Sequence, residues 1–379
     1  MKFLHIADLH IGKRVNEFSM IEDQKYILNG ILKIIDSEKV QTVLMAGDIY
    51  DKAVPSAEAV QLFDTFLTRL VKKDIKVFAV SGNHDSAERI AFASQIMKDS
   101  GVYMSPVYDG VVKPIKMTDE FGEVNIYLLP FIKPIHVRSC FDDAEEIRTY
   151  DDAVKFAVEK MNVDTEARNV IVAHQFVTGA ERCDSEEVSV GGLDDIEYHA
   201  FDKFDYAALG HIHGAQHIGR AEVRYSGTPL KYSFSEVKHK KSVTIVDIKE
   251  KGRVEITTVP LVPLHDMREI KGTYMDVSNR QNYEGTDTED YMHITLTDEE
   301  DVPDAIAKLR AIYPNIMCLD YDNKRTRNYN VIDSADISKN KSPVELFAEL
   351  YEKQNNSEMS DAQREIVEKI VEEVTEGAV

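Results

Sequence analysis

Aspartate, histidine and asparagine recur along this chain in five short groups. They are Asp8-Leu9-His10, Gly47-Asp48-Ile49-Tyr50-Asp51, Gly82-Asn83-His84-Asp85, His174, and Gly210-His211-Ile212-His213. Carboxylate, amide oxygen and imidazole without thiolate suit borderline-hard divalent ions such as Mn²⁺, Fe²⁺ or Zn²⁺. In an extended segment, residues two apart project from one face, so Asp8 with His10, and His211 with His213, can converge. Asp8, His10, Asp48, Asn83, His174, His211 and His213 are too many ligands for one ion and about right for two that share a carboxylate. Such a pair suits phosphoryl transfer, because it can hold the attacking and leaving oxygens together. Each group alone is commonplace, since Gly, Asn and Asp end strands in ordinary turns. Five of them in one chain, with no cysteine among them, point to a metal centre.

Each group needs an element to carry it. Short β-branched runs predict strands at Phe3–Ala7, Thr42–Ala46, Val77–Val80, Ile126–Leu129, Val170–Ala173, Tyr206–Leu209 and Val243–Ile248. The acidic and imidazole groups fall just beyond five of these runs, where the ligand crevice of an open α/β sheet lies. Between the early strands the apolar spacing turns helical. One helix is expected after Ser19-Met20-Ile21-Glu22, which has capping-box spacing, one from Ser56, and one through Ala87–Met97. The class is therefore α/β, with a second sheet expected from the strand-rich later half. Past Leu264 the pattern changes to a small mixed module over 265–340. From Ser342-Pro343-Val344-Glu345, which supplies an N-cap, a first-turn proline and an acid, the chain turns helical again. A second helix start follows at Ser360. Val344, Phe347, Leu350 and Tyr351 form one apolar stripe, and Ile366, Val367, Ile370 and Val374 another.

The chain has 379 residues and a formal charge of −22, with 43% hydrophobic and 30% charged residues. That length suggests two or three domains, and the composition is that of a folded chain. Cys140, Cys183 and Cys318 are widely spaced and odd in number, which argues for a reducing compartment. No apolar run approaches the ~18 residues that span a bilayer, and the start is too polar for a secretory signal. A cytoplasmic protein is expected. So acidic a chain should repel phosphate at long range. The charge is uneven, however: residues 1–264 carry −9 and the remaining 115 carry −13, with nine acids and no Lys or Arg between Glu284 and Asp304.

The motifs DLH, GDIYD, GNHD, AH and GHIH, in this order, resemble those of the calcineurin-like metallophosphoesterases. MKFLHIADLHIGK, LMAGDIYDKAVPS, VSGNHDSAERI, ALGHIH and YSGTPLKYSFSE extend the likeness to the SbcD family, the nuclease subunits of bacterial SbcCD and relatives of the Mre nucleases. The resemblance implies a core of two packed β-sheets flanked by helices (1–264), a small α+β capping domain (265–340) and a helix-loop-helix tail (341–379). It further implies that Asp8, His10, Asp48 and His213 hold one ion and that Asp48, Asn83, His174 and His211 hold the other, with Mn²⁺ the usual metal. His84 would contact the phosphate or protonate the leaving oxygen, and the Asp51 carboxylate would orient His84. The implied activity is 3′–5′ exonuclease action on double-stranded DNA and endonuclease action on single strands and hairpins, in DNA repair, recombination and replication. The tail would bind a coiled-coil ATPase of the SbcC type, and the helices after Pro55 and Asp85 would pair two copies of the chain. The competing expectation is a stand-alone phosphoesterase acting on a small phosphodiester or a phosphoprotein; the extra module and tail argue against it.

Overall fold

The computed structural model describes residues 1–186, 195–324, 326, 342–355 and 359–376. Two compact units follow one another, Met1–Met267 and Arg268–Val379. The change of pattern read at Leu264 thus lies three residues before the division.

Two six-stranded sheets build the first unit. In one, Lys2–Ile6, Thr42–Ala46, Lys76–Val80 and Val102–Met104 run parallel, with Ser242–Ile248 and Val254–Pro260 added antiparallel beyond Lys2–Ile6. In the other, Gly122–Leu129, Arg168–His174, Tyr206–Gly210 and Arg220–Tyr225 are parallel, and antiparallel hairpins close both edges. Parallel strands buried on both faces should be continuously apolar rather than alternating. Thr42–Ala46 and Arg168–His174 are indeed buried at every residue.

Phe3, Leu44, Phe78 and Val80 from the first sheet pack against Ile126, Leu128, Val170, Val172 and Tyr206 from the second. On the other side of the second sheet, Ile171, Ala173, Ala207 and Leu209 meet Val154, Ala157 and Val158 of the helix Tyr150–Lys160. Within the first sheet, the helices Ile21–Glu38 and Ala57–Lys72 make the crossovers between parallel strands.

Two local expectations are revised. The helix Ile21–Glu38 starts from Met20 with no side-chain cap, because Ser19 is drawn into a two-residue ribbon with Arg14. The expected helix over 87–97 is two short pieces, Ala87–Ile90 and Ser94–Met97. Ala93 between them has φ 58°, a left-handed conformation that no continuous helix accommodates.

In the second unit a three-stranded sheet, Met267–Gly272, Tyr291–Leu296 and Ile316–Tyr321, buries Met292, Ile294 and Leu296 with Leu309 and Tyr313. The helices Pro343–Asn355 and Asp361–Glu376 follow. The first has the expected box: Ser342 N donates to Glu345 (2.7 Å) and Glu345 N donates to Ser342 Oγ (3.3 Å). Phe347, Leu350, Ile366 and Ile370 of the apolar stripes are exposed. Of the stretch assigned to the capping module, residues 325 and 327–340 lie outside the described residues. No described helix is long and apolar enough to cross a membrane.

Candidate active site

The strand ends are zipped together by main-chain bonds. Asp8 N donates to Gly47 O (3.1 Å), His10 N to Asp48 O (2.9 Å) and Ile11 N to Ile49 O (2.9 Å). The Asp85 carboxylate, directly after His84, accepts from Ile49 N (3.1 Å), Tyr50 N (2.9 Å) and Gly82 N (2.9 Å), and so ties the second loop to the third. Asp8 fastens the fifth loop by accepting from His211 N at 2.9 and 3.1 Å. Asp48 Oδ1 accepts from His84 N (2.9 Å). Gly82 is required at this approach, since a Cβ there would stand 2.1 Å from Asp48 Oδ1. Asp8, His10, Asp48 and His211 all have positive φ, at 53°, 44°, 47° and 107°. The loops hold their side chains in place through unusual backbone conformations.

All seven predicted ligands are brought together. His174 Nε2 lies 3.0 Å from Asn83 Oδ1 and 3.3 Å from Asp48 Oδ2, and His211 Nδ1 lies 3.0 Å from the same amide oxygen. His10 Nε2 faces His213 Nε2 at 3.2 Å and Asp48 Oδ2 at 3.7 Å. Asp8, His10 and His213 form one cluster with ligand atoms mutually in reach, and Asp8, Asp48 and His174 another. His84 stands beside Asp48, its Nε2 4.0 Å from Oδ2.

The Asp51 contact differs from expectation. His84 Nδ1 donates to the Asp51 main-chain carbonyl (3.0 Å), while the Asp51 carboxylate pairs with Lys13 at 2.8 Å. A carbonyl can only accept, so His84 carries a proton at Nδ1, and its Nε2 faces Asp48. The orienting group is thus the loop backbone, and the carboxylate holds Lys13.

Protonation reflects this crowding. Burial pushes the His174 imidazole down, but Asp48, to which it also hydrogen-bonds, and Asp8 outweigh burial and lift it to about 9. Burial pushes Asp48 up, but His174 and the neighbouring histidines hold it well below the usual carboxylate range. Burial dominates elsewhere: Asp8 is raised, His10 is lowered, and His211 falls to about 3. Asp85, buried and close to Asp48, rises to about 6 despite its three amide donors.

The residues fit a pair of cations. His174 donates from Nδ1 to Ala46 O (2.8 Å), which leaves Nε2 facing two oxygens. His10 and His213 turn ring nitrogens toward each other, and His10 Nδ1 is buried without a hydrogen-bond partner. At His174 a nitrogen lone pair directed at two oxygens in a dry pocket calls for a positive charge between them. In the metal-free chain the His174 proton fills part of that need.

Opposite pH trends follow. A His whose pKa is raised on folding adds stability below its unfolded value, near 6.5, and loses it as pH rises through about 9. A metal held at His174 Nε2 would have to displace that proton, so its affinity should rise over the same window. Thermal melts of chelator-treated protein should therefore fall between pH 6.5 and 9, while calorimetric Mn²⁺ affinity climbs. An affinity that is flat across this window would show that no proton has to leave His174 for metal to bind.

Residues 1–215 match the family model described as calcineurin-like phosphoesterase, and residues 263–355 match SbcD_C, described as the Type 5 capsule protein repressor C-terminal domain. The chain is also 33% identical to the SbcD subunit of nuclease SbcCD from Staphylococcus epidermidis over 323 residues, 84% of this chain and 85% of that protein. The chain belongs to the SbcD family of calcineurin-like phosphoesterases. Among solved structures, a dimetal phosphatase from Danio rerio aligns at 12% identity over 70% of this chain and 98% of its own, with a TM-score of 0.39. The NAD nucleotidase of Haemophilus influenzae aligns at 12% identity over 85% and 57%, with a TM-score of 0.29. The SbcD assignment rests on the sequence matches.

Behind the seven candidate ligands of this SbcD-family site stand residues that spacing along the chain does not single out. Glu186 accepts from His213 N (2.6 Å), and Ser185 Oγ lies 2.8 Å from His213 Nδ1. Glu236 lies fully buried behind both. Glu236 sits within the YSGTPLKYSFSE run, but nothing in its spacing connects it with a histidine 23 residues earlier.

Proposed function

We propose that this chain is the nuclease subunit of an SbcCD-type complex, cleaving DNA phosphodiesters with a pair of divalent ions, Mn²⁺ in the cell. The observation that carries this reading is the convergence of all seven ligand side chains, with His84 beside them, in a family whose relative bears the nuclease name. Asp8, His10, Asp48 and His213 would hold one ion and Asp48, Asn83, His174 and His211 the other. When bound, the ions supply an activated water and neutralise charge on the phosphoryl oxygens. The protein's own part is to fix those groups in advance and to exclude bulk water from a buried cluster. His84, half-buried at the rim with its Nδ1–H held by the Asp51 carbonyl, would take a second proton at Nε2 and, as the imidazolium, hand it to the leaving sugar oxygen. Lys13 can meet a flanking phosphate, held in place by Asp51.

The pair of tail helices supports the ATPase-binding assignment. Their apolar residues Phe347, Leu350, Ile366 and Ile370 are exposed, and helix-in-groove binding uses this spacing. Truncation after Lys341 should give a folded nuclease that no longer co-purifies with the SbcC-type ATPase. Retained association would remove the tail from the interface. DNA binding by the acidic chain alone should be weak without metal. The deciding experiment is cleavage of blunt and hairpin DNA with Mn²⁺, with and without the ATPase and ATP. Activity confined to small phosphodiesters and indifferent to the ATPase would refute the nuclease reading.

A further inference from the structure

Glu236 and Lys241 form an ion pair (2.5 Å) in the interior of the first unit, with Glu236 0% and Lys241 8% exposed. Replacing such a pair by apolar residues is often neutral for stability, so stability alone gives little reason for one here. Its surroundings supply another. Glu236 Oε1 accepts from Ser185 Oγ (2.6 Å) and from Tyr232 N (3.2 Å), and lies 3.4 Å from His213 Nδ1. Ser185 Oγ in turn stands 2.8 Å from His213 Nδ1. With its own proton given to Glu236, that hydroxyl can only accept from the ring. Lys241 donates to Thr228 Oγ1 (2.6 Å) and to the His213 carbonyl (2.9 Å). The pair therefore grips both the ring and the main chain of one residue.

We infer that Glu236, acting through Ser185 and braced by Lys241, is a positioning residue that fixes the proton of His213 on Nδ1 and presents the bare Nε2 to a cation. The chain of donors runs from His213 Nδ1–H to Ser185 Oγ–H to the Glu236 carboxylate. Nε2, on the far side of the ring, is the atom that faces His10 Nε2 at 3.2 Å. Tyr232 braces the same arrangement from the side: its hydroxyl donates to Leu9 O (2.5 Å), and its ring stands edge-on to both His10 and His213. Carboxylates that orient a ligating histidine typically govern metal affinity by roughly 10–100-fold. This inference rests on the reading of His213 as a ligand of one ion only.

Mn²⁺ titration of the full-length chain by calorimetry tests both readings separately. The wild type should bind two ions. In Ser185→Ala, and in the double variant Glu236→Gln/Lys241→Met that leaves no unpaired buried charge, one binding event should weaken roughly 10–100-fold. The other should change less than about threefold, and Ser185→Thr, which keeps the hydroxyl, should restore wild-type binding. Should the double variant fail to fold, Ser185→Ala decides. Two unchanged events, or an equal loss of both, would overturn the positioning role while leaving the metal site intact. A wild type that binds no Mn²⁺ would overturn the metal site and this inference with it.

Discussion

His84→Ala is expected to lower DNA cleavage by about 10²–10⁴-fold, the usual contribution of a positioned proton donor, while both Mn²⁺ binding events survive. The substitution is unusually clean. The contact that His84 makes with Asp48 Oδ1 at 2.9 Å comes from its main-chain N–H, which alanine retains. Only the imidazole is lost; its hydrogen bond is to the Asp51 carbonyl, while toward Asp48 and His10 it makes a longer 4.0 Å approach and an edge-on ring contact. His84 nevertheless lies within reach of His10 and Asp48 as a third potential ligand. Calorimetry with Mn²⁺ separates the roles: loss of a binding event would make His84 a ligand, and full activity would remove it from the mechanism. Because the Asp51 carboxylate is engaged with Lys13, Asp51→Asn should cost far less than His84→Ala.

A second large effect is expected at Gly210→Ala. A Cβ at this position would lie 1.7 Å from the Ala46 carbonyl oxygen, and 2.8 Å from His174 Nδ1. Ala46 ends a strand of the first sheet, and Gly210 ends one of the second, so the two sheets meet backbone to backbone beneath the candidate metal ligands. The clash is with main chain, and no rotamer change relieves it. Overpacking of this kind costs about 1–3 kcal/mol or more. The forced shift also moves the carbonyl that orients His174, and misplacement by about 1 Å can cost roughly 100-fold in rate. The variant should therefore melt several degrees lower and lose at least about 100-fold in activity. Gly30→Ala serves as control: it lies in the helix Ile21–Glu38 with nothing within 4 Å of its Cβ, and should raise stability by about 1 kcal/mol. A Gly210→Ala variant with wild-type melting and turnover would show that the sheets can part here without harm.

How much of this was legible in the residues depends on distance along the chain. The seven candidate ligands could be picked out because each follows an apolar, strand-like run; that Asp8, His10, Asp48 and Asn83 end strands of one sheet and His174, His211 and His213 strands of the other could not. The two-sheet core could be read from the number and spacing of the runs. Breaks that depend on one backbone angle were hidden: Ala93 looks like an ordinary helix residue, yet its left-handed φ splits the expected helix. Ser19 had the spacing of a cap but was claimed by a ribbon. The support behind His213 was the least visible, because Ser185, Glu236 and Lys241 reach it only through folding, from 28 residues before it and from 23 and 28 residues after it. A carboxylate's partner is a three-dimensional fact, as the exchange of Asp51's carbonyl for its side chain also shows.

The positive φ angles at Asp8, His10, Asp48 and His211 bear on how this chain could change. Each holds a side-chain-bearing residue where glycine would rest more easily, at a cost of about 1 kcal/mol apiece. For the metal-free chain, glycine at His10 or His211 would relax the loops, whereas the carboxylates of Asp8 and Asp48 also fasten them. Heat-resistance selection imposed without a demand for catalysis should therefore drift toward glycine or asparagine at the two histidines, and would erase the activity before it damaged the fold. In a lineage of such chains, survival and work would pull on those two residues in opposite directions.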